Sequence, residues 1–137
     1  MNEHLDQEIL ALIDQAYDAY TPESIEKSIA LLMKALDLVE ERKTAGSEEH
    51  RVLHDLMETY IAFGDLESAI KWVDRYLAAD KQWGNYGKGQ LDVGELYYKL
   101  KRFDEAKDYF KQADEISNGR IWRDRKDTEL YQFYKKD

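Results

Sequence analysis

The stretch 93-VGELYYKLKRFDEAKDYFKQA-113 decides the fold. Its second half continues to Ile116, and Phe103, Ala106, Phe110, Ala113 and Ile116 recur at three- and four-residue spacing, tracing one face of a helix. Its first half carries Val93-Gly94-x2-Tyr97 on a helix expected over about 88–101. Small residues at Gly94, Ala106 and Ala113 let two such helices cross closely, while Tyr97 and Phe110 fill the gap to a neighbouring pair. One stretch therefore specifies a helix-turn-helix unit.

The unit recurs upstream. Leu56-Met57-x2-Tyr60 followed by Ala69-x3-Val73 repeats the arrangement, and a weaker copy places Ala16 before Ser28, Leu32 and Ala35. The downstream copy resembles the tetratricopeptide repeat, whose pattern is a Leu-Gly-x2-Tyr block, then Ala-x3-Phe, then Ala. The copies depart from that family in spacing: Ala69 to Ala106 is 37 residues and Ser28 to Ala69 is 41, against about 34 in the family. The excess falls in the connections Glu41–Ser47 and Gln82–Gly87. The family's proline after each second helix is missing, and Tyr76 stands where a small residue is usual.

Helices are expected at about 4–19, 22–43, 48–63, 66–80, 88–101, 104–117 and 128–135, and no segment alternates like a half-buried strand. Thr21-Pro22 reads as a cap followed by proline at the first helical position. Gly64-Asp65 reads as a stop followed by a cap, and Gly119 as a left-handed stop. The resemblance implies an all-α chain of antiparallel helix-turn-helix repeats forming a short right-handed solenoid. Three pairs, at about 4–43, 48–80 and 88–117, and a C-terminal cap at about 120–137 would make one domain of 1–137.

Composition narrows the function. The 137 residues are long enough to bury a core, with 43% apolar and 36% charged side chains, as in a folded domain with a strongly charged surface. The net charge of −9 argues against nucleic acid and an anionic membrane, both of which call for a basic surface. Arg120 to Lys126 and Lys135-Lys136 are interrupted by aspartates and read as solvated charge. With no cysteine, disulfides and thiolate metal sites are excluded. The N-terminus lacks signal-peptide character and no window has the apolar length of a membrane span, so a cytoplasmic location is expected.

The stretch 81-KQWGNYGKGQ-90 imitates a phosphate cradle. Its glycines lie at the wrong spacing for a Walker loop, no hydroxyl follows Lys88, and a helix rather than a strand precedes it. It reads as a connector, with Trp83 and Tyr86 packing back over helix ends. His50 and His54 lie one turn apart with Glu58 beyond, but Arg51 stands where a zinc protease needs its glutamate. They read as structural or partner-contact residues rather than metal ligands. No nucleophile elbow or paired catalytic carboxylates stand out, so no enzyme activity, cofactor or metal is expected.

In the tetratricopeptide family the first helix of each pair lines a concave groove. Carrying that frame across points inward with Ile13, Tyr17 and Tyr20 from the first pair and Arg51, His54, Glu58 and Ile61 from the second. The third pair contributes Leu91, Glu95, Tyr98 and Lys99. Of these, Tyr17, Tyr20, Arg51, His54, Glu58, Glu95, Tyr98 and Lys99 are the partner-binding candidates. The family's carboxylate clamp of Lys, Asn and Arg is replaced here by Ile13, Tyr17, His54 and Phe103, with only Lys99 basic, which disfavours an acidic tail. Glu58 and Glu95 favour a basic or amphipathic protein or peptide. Glu40, near the end of a second helix, is an outer position.

The C-terminal 128-TELYQFYKKD-137 would cover the last pair with Leu130, Phe133 and Tyr134. The alternative is an arm docking into a second copy's groove, so a homodimer is compatible with the sequence. The expected function is a non-enzymatic adaptor. Its rival is an immunity or inhibitor protein occluding a toxin or enzyme, suggested by a resemblance to small stand-alone bacterial tetratricopeptide proteins.

Overall fold

The computed structural model describes residues 3–42, 47–83 and 87–136, with side chains described for 7–42, 48–81 and 87–136. The described residues form helices α1 (Glu3–Asp18), α2 (Ile25–Arg42), α3 (Ser47–Phe63), α4 (Leu66–Ile70), α5 (Val73–Trp83), α6 (Lys88–Lys99) and α7 (Phe103–Ser117). A 3-10 turn (Arg120–Trp122) and α8 (Glu129–Lys135) follow. The fold class is all-α. Internal contacts divide the chain into Met1–Ala79 and Asp80–Asp137.

In the second unit, α6 and α7 form an antiparallel pair whose order can be read from its contacts. A Cβ on Gly87 would meet the Ala113 carbonyl oxygen at 2.7 Å, and one on Gly94 would meet the Phe110 ring at 2.6 Å. Tyr97 stacks on Tyr109, and Tyr98 meets Phe103 edge-on. Partner numbers fall as α6 advances, which is the signature of an antiparallel pair joined by a tight turn. Side-chain volume at Gly94 is excluded because the Phe110 ring, fully buried, occupies that space.

The buried register is the same in the three second helices. Ala106, Phe110, Ala113 and Ser117 are buried along α7. Ala69, Val73, Tyr76 and Asp80 occupy the corresponding places in α4 and α5, and Ser28, Leu32, Ala35 and Val39 in α2; all are buried. The spacing of four, three and four residues is that of a narrow apolar stripe on a helix. Phe103 and Ile116 lie outside that stripe, 45% and 48% exposed. In the first unit the Ser28 hydroxyl, 1% exposed, donates to the Ala16 carbonyl at 2.8 Å, tying α2 to α1 where a small residue allows close approach.

Two boundaries differ from expectation. Residues 21–24 form a turn in which the Ser24 N–H donates to the Thr21 carbonyl at 3.0 Å, so α2 starts at Ile25 rather than at Pro22. The expected helix over 66–80 is interrupted at Lys71 and Trp72, whose N–H groups reach back three residues to the Ser68 and Ala69 carbonyls. That local 3-10 tightening splits the helix without a proline or glycine. Gly64-Asp65 behaves as read: Gly64 has φ +87°, and the Asp65 carboxylate caps α4 by accepting from the Ser68 N–H at 3.2 Å. At the end of α7 the left-handed stop is Asn118, φ 53°, with Gly119 following at φ 81°.

The C-terminal segment folds onto α7 of its own chain. Trp122, 2% exposed, meets Phe110 edge-on and stacks on Tyr134 at 5.3 Å. Phe133 packs against Phe103 and Phe110, and the Tyr134 hydroxyl donates to the Asp114 carboxylate at 2.8 Å. Thr128 caps α8 by accepting from the Tyr131 N–H. Leu130 is half-buried. Ile121 and Trp122 are the buried members of a segment whose charges made it look wholly solvated.

Candidate interaction surface

The inward positions of the repeat frame separate by burial. Ile13 and Leu91, 1% and 4% exposed, are packing residues. Tyr17, one turn beyond Ile13 on α1, is 81% exposed, and Tyr20, just past the end of α1, is 45% exposed. A phenol ring that extensive left in water is a ready contact surface, since tyrosine offers apolar area and a polar tip with few rotatable bonds.

Tyr17 and Tyr20 flank a pocket of about 200 Å³ between α1, α2 and α3. Ile13, Ala16 and Leu32 form its apolar wall, and Asp55 and Glu58 contribute the acidic side. Burial, then the charges of Glu58 and Asp55, raises the Tyr20 phenol pKa above its ordinary value. The hydroxyls in the wall are committed: Ser28 donates to Ala16 and Thr59 to the Asp55 carbonyl at 2.6 Å. Asp55 was missed by the sequence reading, although it stands one turn before Glu58 on α3, a spacing that places both carboxylates on neighbouring parts of one face.

The other second-pair candidates sit on α3. Arg51 is exposed. The His54 ring lies 3.2 Å from the Asp55 carboxylate and 3.9 Å from that of Glu58. His50 stacks on Tyr76 at 5.4 Å, and His54 lies 5.9 Å from the same ring. Tyr76, 1% exposed, replaces the usual small residue, and the two imidazoles cover its phenol ring. That packing is the physical reason a tyrosine fits there.

In the second unit, Glu95 and Lys99 form an i,i+4 pair at 3.6 Å with both side chains nearly half exposed. Tyr98 is held by the C-terminal segment: its hydroxyl donates to Glu129 at 2.8 Å, and its ring packs on Phe133 and Phe103. The hydrogen bond to Glu129 is the largest cause of a phenol pKa raised above the ordinary value.

The start of α6 uses its glycine for packing. Gly87 has φ +87° and abuts the Ala113 carbonyl, so a side chain is excluded by both conformation and space. Lys88 is ion-paired with the buried Asp92 carboxylate one turn along. Lys88 thus has a structural partner within its own helix. Residues 84–86 and the side chain of Trp83 lie outside the described residues, and with them the expected packing of Trp83 and Tyr86. No helix among the described residues is long and apolar enough to cross a membrane.

Residues 88–119 match the tetratricopeptide repeat family model, the stretch containing α6, α7 and their turn. That segment is a tetratricopeptide-like helical repeat, an architecture that generally serves as a protein-interaction scaffold. Comparison with curated proteins gave no match to the chain.

Proposed function

We propose that the chain is a non-enzymatic adaptor that captures a basic or amphipathic segment of another protein on exposed side chains of its first helices. The observation that carries this reading is the exposure of Tyr17 and Tyr20 beside Asp55 and Glu58 at one pocket. Aromatic rings supply anchoring area, and carboxylates supply the potential that steers a cationic partner. The net charge of −9 adds to that steering and favours a cationic partner. Phe133 and Tyr134 pack within their own chain, which supports taking another protein rather than a second copy's C-terminal segment as the ligand.

The test is co-purification on the immobilised full chain, with recovered proteins identified by mass spectrometry and re-bound individually as purified species. The expected result is direct binding of proteins bearing Lys- or Arg-containing segments, lost at high salt. Recovery of acidic proteins whose binding is indifferent to salt would contradict the reading.

A further inference from the structure

We propose that the pocket between α1, α2 and α3 is a receptor for a single arginine side chain of the partner; the inference rests on the interaction reading above and specifies its ligand. Three properties of the site converge on that chemistry. Its volume, about 200 Å³, lies below the range of about 300–1,000 Å³ for pockets that take small-molecule ligands. One side chain is therefore a better match than a cofactor.

The polarity of the wall and of the acidic side has one direction. The Ser28 and Thr59 hydroxyl protons are spent on backbone carbonyls, so these groups offer no donor to an anion. Asp55 and Glu58 present carboxylate oxygens, which accept only when ionised. One Asp55 oxygen faces the His54 ring at 3.2 Å and one Glu58 oxygen lies 3.9 Å from the same ring, so His54 stands beside one oxygen of each carboxylate, and each carboxylate has two oxygens and about four lone-pair sites. Such a site selects a donor-rich cation.

The apolar parts distinguish which cation. Ile13, Ala16 and Leu32 provide a wall for a methylene stem, and Tyr17 and Tyr20 offer ring faces at the mouth. A guanidinium is planar, weakly hydrated, stacks on aromatic faces and donates through five N–H groups, whereas an ammonium is a compact and strongly hydrated point charge. Two carboxylates beside two phenols therefore favour arginine over lysine.

The direct probe is N-acetyl-L-arginine amide, titrated against the full chain while methyl resonances of Ile13 and Leu32 are followed by NMR. N-acetyl-L-lysine amide and the uncharged N-acetyl-L-norleucine amide serve as comparisons. Saturable shifts at those methyls are expected for arginine, weaker ones for lysine and the weakest for norleucine. The charge-removing pair Asp55→Asn and Glu58→Gln should weaken the arginine probe about tenfold with helical content retained. Tyr17→Ala, at a position 81% exposed, should weaken it with no loss of fold. A norleucine response equal to that of arginine, or no shift at Ile13 and Leu32 up to the solubility limit, overturns the assignment. A partner recovered by co-purification whose binding ignores the Asp55→Asn/Glu58→Gln pair overturns the pocket alone and leaves the adaptor reading standing. Arginine-specific binding without any recovered partner supports the pocket and counts against the adaptor.

Discussion

Lys101 holds a left-handed backbone, φ 62°, at the end of α6, where Gly64 holds φ +87° at the end of α3. The hydrogen bonds around the two are the same: Asp65 N–H to the Tyr60 carbonyl, and Arg102 N–H to the Tyr97 carbonyl, both 2.9 Å. Both helices thus close with a backbone that reaches back five residues, the Schellman pattern. Glycine adopts that conformation without a Cβ penalty, whereas lysine is strained in it. Lys101→Gly should therefore stabilise the chain by about 0.5–1 kcal/mol, the relief of strain exceeding the added freedom of the unfolded glycine. Equilibrium urea unfolding with an unchanged slope would measure it; a lower midpoint would show that the strain is absent. This turn was legible at Gly64 because glycine announces a positive φ, and hidden at Lys101 because lysine does not. The recurrence of Tyr60 and Tyr97, 37 residues apart, was the only clue.

At the scale of elements, the second helices were the most readable part because their stripe of buried residues is a local periodicity. Their interruption at Lys71 and Trp72 was not, since neither residue breaks a helix by its own propensity. The C-terminal segment shows the same division. Phe133 and Tyr134 could be assigned to a covering face from spacing, but Trp122 was screened by flanking arginines and aspartates. The Tyr134 hydroxyl is a titratable anchor of this element: burial, and then its hydrogen bond to Asp114, pushes its pKa from 10.0 up to about 12. The folded pKa is raised, so the protonated phenol favours the docked α8. That contribution is fully present below pH 10 and is lost as pH rises through about 12. A tyrosinate absorbance titration paired with near-ultraviolet circular dichroism should show α8 contacts loosening in that window. Tyr134→Phe should remove that phenol's titration and lessen the alkaline loss of signal; an unchanged profile would place the titration elsewhere.

Across the whole molecule, the sequence named candidate residues but not the surroundings the fold gives them. The repeat frame placed Tyr17, Glu58 and Glu95 at equivalent positions of three first helices, and their side chains are partly or largely solvent-exposed. It did not show that Tyr98 engages α8, because a contact between residues 98 and 129 depends on how the chain returns after Gly119. Nor did it single out Asp55, whose importance comes from the pocket it borders rather than from a motif. The frame also offered Glu40 as an outer comparison site, but Glu40 is ion-paired with Arg75 at 2.9 Å. Asp37, exposed on α2, is the better control.

The most direct measurement is the dissociation constant of a purified partner for the native chain, for Glu58→Lys/Glu95→Lys and for Asp37→Lys, at low and moderate salt. Reversing the two inward charges should weaken binding about tenfold or more and flatten its salt dependence, while the outer reversal changes it less than about twofold. If the outer reversal abolishes binding and the inward pair leaves it intact, the partner occupies a different face and the inward-face account is wrong.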